Sequence, residues 1–111
     1  MRNILKNQIV IDGLEYCNWN RELLENLLNG GITAVHVTLV YWENTEESFN
    51  KIDELNQLIQ NNKDILCQAK TTKDILTAKK ENKVAFIFGF QNSAPIANDI
   101  FLVEKFFDKG V

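Results

Sequence analysis

Hydrophobic residues along the chain alternate between short β-branched runs and longer stretches with helical spacing. Three runs are nearly continuous in apolar residues and predict buried strands, over residues 9–11, 32–40 and 84–90. The first run ends at Asp12-Gly13, a pair that predicts a loop directly after the strand. A further segment, residues 65–69, fits either a short strand or the return of the chain across the end of the sheet.

Between these runs, apolar residues recur every three or four positions and predict helices. The first helix follows Asn18 or Asn20 as N-cap and ends at Gly30-Gly31, where glycine can take the left-handed C-cap conformation. The other predicted helices cover about residues 45–59, 74–80 and 100–107. Asn44 or Thr45 is the expected cap of the second helix.

Alternation of strands and helices forces parallel pairing, so the predicted fold class is α/β. The pattern leaves a barrel and an open doubly wound sheet equally plausible. The last helix closes on Lys109-Gly110-Val111, an ending that normally leads into another strand, and 111 residues are too few for a closed barrel of about 250. We therefore expect the opening segment of a larger β/α protein.

Composition and charge exclude several classes of protein. The net charge of −3 is spread over interspersed acidic and basic residues, so no basic stripe indicates nucleic acid or a membrane surface as partner. Cys17 and Cys67 are far apart in sequence and indicate neither a zinc site nor a disulfide framework, which fits the cytoplasm. The first eight residues lack the apolar stretch of a signal peptide, and no run is long enough to span a membrane.

Candidate chemistry lies after the carboxyl ends of the strands, where parallel α/β folds place their working groups. These positions are residues 12–19, 41–44 and 91–93, which together could line a polar pocket with aromatic walls. Each candidate also has a structural explanation. Asp12 is a common turn residue, Glu15 would be solvated on most loops, and Cys17 lacks a nearby base and fits a buried, inert thiol better. His36 reaches the pocket only if its strand face is the inner one; otherwise it is a core histidine.

Several segments resemble the renal, or membrane, dipeptidase family. Ile-Val-Ile-Asp-Gly-Leu-Glu-Tyr at 9–16 resembles the family's Asp-Gly-His-x-Asp opening, and Gly-Phe-Gln-Asn at 89–92 resembles its Gly-x-Glu-Gly segment. Residues 30–35 and 102–111 resemble its Gly-Gly-Val entry to the second strand and its helix before the next strand. The resemblance implies that residues 1–111 form the N-terminal portion of a single (β/α)8 TIM-type barrel domain, truncated before the next strand.

The family resemblance also implies a binuclear zinc centre that hydrolyses dipeptides, held by a His-x-Asp pair, a bridging glutamate and later histidines. This sequence departs from the family at each ligand position within it. Leu14 stands at the histidine position, Tyr16 at the aspartate position and Gln91 at the bridging glutamate position. Leucine offers no donor atom, and a neutral amide supplies none of the charge that holds two cations together. No metal ligand set is intact in this segment, so the implied zinc is one ion or none.

The main hypothesis is a fragment of a dipeptidase-like metallohydrolase whose parent protein hydrolyses a dipeptide or related amide with metal-activated water. The candidate substrate-binding residues are Asp12, Glu15, Tyr16, Gln91 and Asn92. The alternative is a catalytically silent barrel with a binding or structural role. Expected partners are a small peptide or amide substrate and either a second copy of the chain or the remainder of the same barrel. We expect the segment alone to be inactive, and marginally stable or self-associating.

Overall fold

A computed structural model describes residues 5–111; residues 1–4, at the start of the stretch considered above for a signal peptide, lie outside the described part. Four strands form one parallel sheet: β1 (Ile11–Glu15), β2 (Ala34–Val40), β3 (Leu66–Gln68) and β4 (Val84–Phe90). Four helices connect or follow them: α1 (Arg21–Gly30), α2 (Thr45–Asn61), α3 (Thr72–Lys80) and α4 (Phe101–Asp108). A 3₁₀ turn, Ala94–Ile96, precedes α4. The α/β class with parallel strands is therefore confirmed.

The first strand differs from its prediction. It begins at Ile11 and runs to Glu15, whereas the sequence predicted a loop from Asp12 onward. Ile11 and Asp12 pair with β2, the register then shifts, and pairing resumes at Glu15. Leu14 has a left-handed φ of 53°, so the extra length is taken up as a bulge rather than as the end of the strand. Asp12 and Glu15 are thus held by the sheet instead of by a loop.

Local polar residues fix where the helices begin and end. Asn20, one of the two predicted caps, accepts a hydrogen bond from the backbone N–H of Leu23 at 3.0 Å and starts α1. Gly31 ends that helix in the left-handed conformation with φ of 89°. Asn44 starts α2 through a capping box with Glu47. These boundaries follow from short-range hydrogen bonds, which is why the sequence located them.

The order of strands in the sheet is β1-β2-β4-β3. The chain passes from β2 through α2 to the far edge strand β3, and then returns through α3 to β4, which lies between them. Because the direction of travel reverses, right-handed connections place α2 and α3 on opposite faces of the sheet. The packing agrees with this rule, since Ile52 of α2 and Ala78 of α3 belong to separate hydrophobic clusters. The segment 65–69, which fitted either a strand or a return of the chain, contains a short edge strand, β3. The order of the strands in the sheet therefore differs from their order in the sequence.

Two hydrophobic clusters fill the two faces of the sheet. The larger joins α1, α2 and α4 to one face through Leu24, Ile52 and Phe106, packed on Val35, Val37 and Phe86 among others. The smaller joins α3 to the other face through a set of small residues: Ala34, Ala69, Ala78 and Ala85. Small side chains let α3 approach the sheet closely. We call the face that carries Ala34 and Ala85 the alanine face.

The last helix buries less than its apolar pattern predicted. Phe106 is buried and stacks on Phe49, with ring centroids 4.4 Å apart. Ile100, Phe101 and Phe107 are each 72% exposed.

Among residues 5–111, no helix is long and apolar enough to cross a membrane.

Candidate functional site

The carboxyl ends of β1, β2 and β4 bring the predicted site residues to one edge of the sheet. Asp12 and Glu15 lie at the two ends of the β1 bulge, where the register with β2 shifts, and their carboxyl groups are close enough to interact. The Asp12 charge, a hydrogen bond with Asp12 and partial burial all raise the pKa of Glu15 above its usual value. The two carboxyl groups therefore concentrate negative charge at this edge of the sheet.

Three aromatic rings lie beside this pair on the first two loops. The rings of Tyr16 and Tyr41 are tilted, with centroids 5.9 Å apart, and Tyr41 meets Trp42 edge-on at 4.9 Å. Tyr16 is 63% exposed and Trp42 is 79% exposed. The three predicted rings therefore lie near one another, and most of the surface of Tyr16 and Trp42 faces outward.

The third loop is tied to the second by side-chain amides. Gln91 Nε2 donates to Thr38 Oγ1 at 3.1 Å, and Gln91 Oε1 lies at an exposed position and accepts from no residue within 5–111. Asn92 uses both ends of its amide, since Nδ2 donates to the Tyr41 carbonyl and Oδ1 accepts from the N–H of Ala94 at 2.8 Å. Of the two predicted contacts, Gln91 retains a free polar atom, whereas Asn92 serves as a brace between loops.

His36 lies on the alanine face, since its neighbours Val35 and Val37 belong to the opposite core. It is half-buried, and its imidazole rests against Gly89, where an added Cβ would overlap Nε2. Thr38, two residues along the same strand, is buried and bonded to Gln91. We call Asp12, Glu15 and the residues that follow β1, β2 and β4 the loop cluster. Because α3 covers the amino-terminal part of this face, His36 lies between that covered part and the loop cluster.

Glu43 shapes the second loop, a role that the sequence analysis missed. Its carboxylate accepts hydrogen bonds from the backbone N–H groups of Tyr41 at 2.6 Å and Trp42 at 2.9 Å. Partial burial raises the pKa of Glu43, but these backbone hydrogen bonds, the bond from its own N–H and the Lys51 charge together outweigh it and lower the pKa overall. An acidic residue directly after a strand was the available signal.

The cysteine at the site differs from its prediction in exposure. Cys17 is exposed rather than buried, because the chain after β1 runs along the surface. Partial desolvation and the nearby Glu15 charge nevertheless raise the pKa of its thiol. A protonated thiol is a poor nucleophile, so the expectation of low reactivity keeps its physical basis.

The described residues do not form a metal site on their own. Within residues 5–111, no group of three or more His, Cys, Asp or Glu side chains is arranged to hold an ion. Leu14 has no donor atom, and Gln91 is bonded to Thr38. The donor set at this edge therefore does not fit a zinc ion without ligands from other residues.

Two solved structures, both from Pseudomonas aeruginosa, are similar to this chain. An amidohydrolase is 38% identical over 98% of the chain, with a TM-score of 0.96. A protein described as the probable dipeptidase PvdM is 14% identical over 99% of the chain, with a TM-score of 0.81, and shows the fold alone. The chain spans about a third of the length of each, 34% and 35%. No family model and no curated protein matches the sequence.

These similarities place the fold among those of hydrolases. The parallel sheet and its helices match part of a larger amidohydrolase, which confirms the predicted fold class of an N-terminal barrel portion. The likeness covers nearly all of the chain, so it includes the edge that carries the loop cluster.

Proposed function

We propose that this chain supplies part of the substrate site of a dipeptidase-like amide hydrolase, with activity belonging to a longer polypeptide. The observation that carries the proposal is the 38% identity to an amidohydrolase over 98% of the chain, at a TM-score of 0.96. The dipeptidase resemblance of residues 9–16 and 89–92 narrows the proposed substrate to a dipeptide or related amide.

The proposed contacts follow from the free polar atoms at the carboxyl edge. The Asp12–Glu15 pair carries excess negative charge and suits the ammonium group of a peptide, which would relieve the repulsion that raises the Glu15 pKa. Gln91 Oε1 is free to accept from an amide N–H. The exposed ring of Tyr16 offers a surface for an apolar side chain or a cation. Asn92 acts through its hold on Tyr41.

Dependence on zinc, with one ion or none, is a proposal about the longer protein. The lack of a three-ligand group within residues 5–111 means that any ion would need donors from elsewhere. The same observation favours the second candidate, a catalytically silent barrel that binds a small molecule. Such a barrel would keep the fold and the loop cluster but would lack a metal ion to activate water.

Metal content and hydrolysis separate the two candidates. The longest natural form of the protein, purified without chelator, is assayed for zinc and for cleavage of a panel of dipeptides. Cleavage that falls at least about tenfold in Glu15→Gln, with Asp53→Asn unchanged, supports the hydrolase. Asp53 is an exposed carboxylate on α2 and serves as the matched control. Binding of dipeptides without cleavage and without stoichiometric zinc would support the silent barrel instead.

Position 91 gives a separate test of the metal proposal. A glutamate there would restore the negative charge that the amide lacks, so Gln91→Glu should increase the amount of zinc bound per chain. Unchanged zinc stoichiometry in this variant would show that position 91 does not control the metal.

A further inference from the structure

A cavity lies at the end of the sheet opposite the loop cluster, where the strands begin. It has a volume of about 280 Å³ and is bordered by the end of α1, the start of β2 and the turn before β4. Its polar lining residues are Lys6, Asn29, Thr33, Lys79, Asn82 and Lys83. We call this the basic cavity. The seven residues of β2 separate the basic cavity from the loop cluster by about 20 Å.

The charge of the basic cavity is opposite to that of the chain. Among the residues that the structure describes, three lysines and no carboxylate line it, although acidic residues outnumber basic ones in the sequence. Lys79 Nζ donates to the Leu5 carbonyl at 3.2 Å, which holds the ammonium group in the wall without neutralising it. Lys83 is the only one of the three with an ion-pair partner among the described residues, Glu81 at 3.2 Å. The cavity thus concentrates positive charge in a concave, partly enclosed space.

A buried hydroxyl belongs to the wall of the basic cavity. Thr33 is 1% exposed, and its Oγ1 accepts from the N–H of Val10 at 3.2 Å. Within the described residues, no acceptor receives the hydroxyl proton, so it remains available to a ligand in the cavity. The side-chain amides of Asn29 and Asn82 can also donate.

The helix end at this cavity does not oppose an anion strongly. The C-terminus of α1 would normally present free carbonyl groups. Here the N–H of Gly31 bonds the Leu28 carbonyl at 3.1 Å, and that of Ile32 bonds the Leu27 carbonyl at 3.0 Å. These two carbonyl groups are therefore satisfied, which reduces the negative charge that the end of α1 presents to the cavity.

We propose that the basic cavity binds a small oxyanion of the phosphate type, either free phosphate or the phosphate group of a small ester. Ammonium, amide and hydroxyl donors around one space are the groups that bind tetrahedral oxyanions in proteins. A volume of 280 Å³ lies near the lower end for ligand pockets, about 300 Å³, and suits such a ligand. The site is separate from the loop cluster and does not depend on the proposed hydrolase function.

Titration of the purified protein with inorganic phosphate at low ionic strength, monitored by backbone amide NMR, tests this proposal. Saturable shifts are expected at Gly31, Thr33 and Asn82. Lys79→Gln should weaken binding at least about fivefold, and Lys79→Arg should retain it. Lys80→Gln is the matched control, because Lys80 is exposed on the same helix and does not line the cavity; it should change affinity less than about twofold.

The same titration can overturn the proposal. Equal weakening by Lys79→Gln and Lys80→Gln, or shifts that never saturate, would show only general attraction of anions to the surface. If Lys79→Gln lowers the melting temperature and confuses the result, Lys83→Gln supplies a second variant of the same wall. Competition by glycerol phosphate distinguishes the sources: tighter binding than inorganic phosphate identifies an ester, and weaker binding identifies the free ion.

Discussion

The imidazole of His36 occupies the space that a side chain at Gly89 would need. A Cβ built on Gly89 would overlap Nε2 of His36, and the nearby ring carbons would also be too close. The two residues belong to adjacent strands, with Thr38 as the direct partner of Gly89. Glycine at position 89 is therefore required by a close approach across the sheet rather than by an unusual backbone angle.

Gly89→Ala should destabilise the fold by about 1 to 3 kcal/mol, because the methyl group must displace a half-buried ring or shift β4. Chemical denaturation measures this change. Gly13→Ala is the matched control, since a Cβ there meets nothing within 4 Å. Adding His36→Ala to Gly89→Ala should recover much of the loss. If the double variant is as unstable as the two single losses combined, the contact does not explain the effect.

Asp12→Asn should lower the pKa of Glu15 toward its usual value, because the largest cause of the raised pKa is the Asp12 charge. Carboxyl carbon chemical shifts followed against pH measure this change. A Glu15 pKa that stays raised in this variant would instead assign the shift to the side-chain hydrogen bond at position 12 or to burial. Asp53→Asn, on the exposed surface of α2, should leave the Glu15 titration unchanged.

The same pair gives a pH dependence of stability with a definite sign. A folded-state pKa above the unfolded value means that the folded chain holds more protons in the intervening pH window. Stability is therefore lost as pH rises through the raised Glu15 pKa. Glu15→Gln should stabilise the fold at pH 7 and show no gain at pH values well below the unfolded pKa. Denaturation midpoints at both pH values check this; a gain of equal size at low pH would contradict it.

Asp74 should act in the opposite direction. Asp74 completes the capping box of α3 with Thr71. Hydrogen bonds from the backbone N–H of Lys70 and from Thr71 lower the pKa of Asp74. Its contribution to stability is present above the unfolded pKa and is lost as pH falls through the lowered folded pKa. Asp74→Asn should therefore reduce the stability difference between pH 7 and pH 2. Asp108→Asn, in an exposed position at the end of α4, is the control.

Removing the N-cap of α2 should cost about 1 kcal/mol of stability. Asn44→Ala deletes the side chain that accepts from the N–H of Glu47 at 3.0 Å. Gln60→Ala, an exposed change within the same helix, should be nearly neutral. Denaturation of the two variants in parallel measures the difference. Equal effects would show that the capping hydrogen bond adds little to α2.

The sequence by itself determined the elements that depend on neighbouring residues. Asn20, Gly31 and Asn44 mark helix ends through hydrogen bonds within a few residues. The apolar run from Val84 to Phe90 could only be a strand buried on both faces, and β4 has those bounds. The residues after β1, β2 and β4 were also predictable as one cluster, because parallel strands align their carboxyl ends.

Only the tertiary structure decided which residues meet across the sheet. The placement of β4 between β2 and β3 puts Gly89 against His36, and no local pattern encodes that order. Pairing with β2 continued β1 past Gly13 and brought Asp12 beside Glu15, overriding a local turn signal. The basic cavity likewise joins Lys6, Thr33 and Lys79 from distant segments. Periodicity reports burial along one element, whereas these contacts depend on the packing of several.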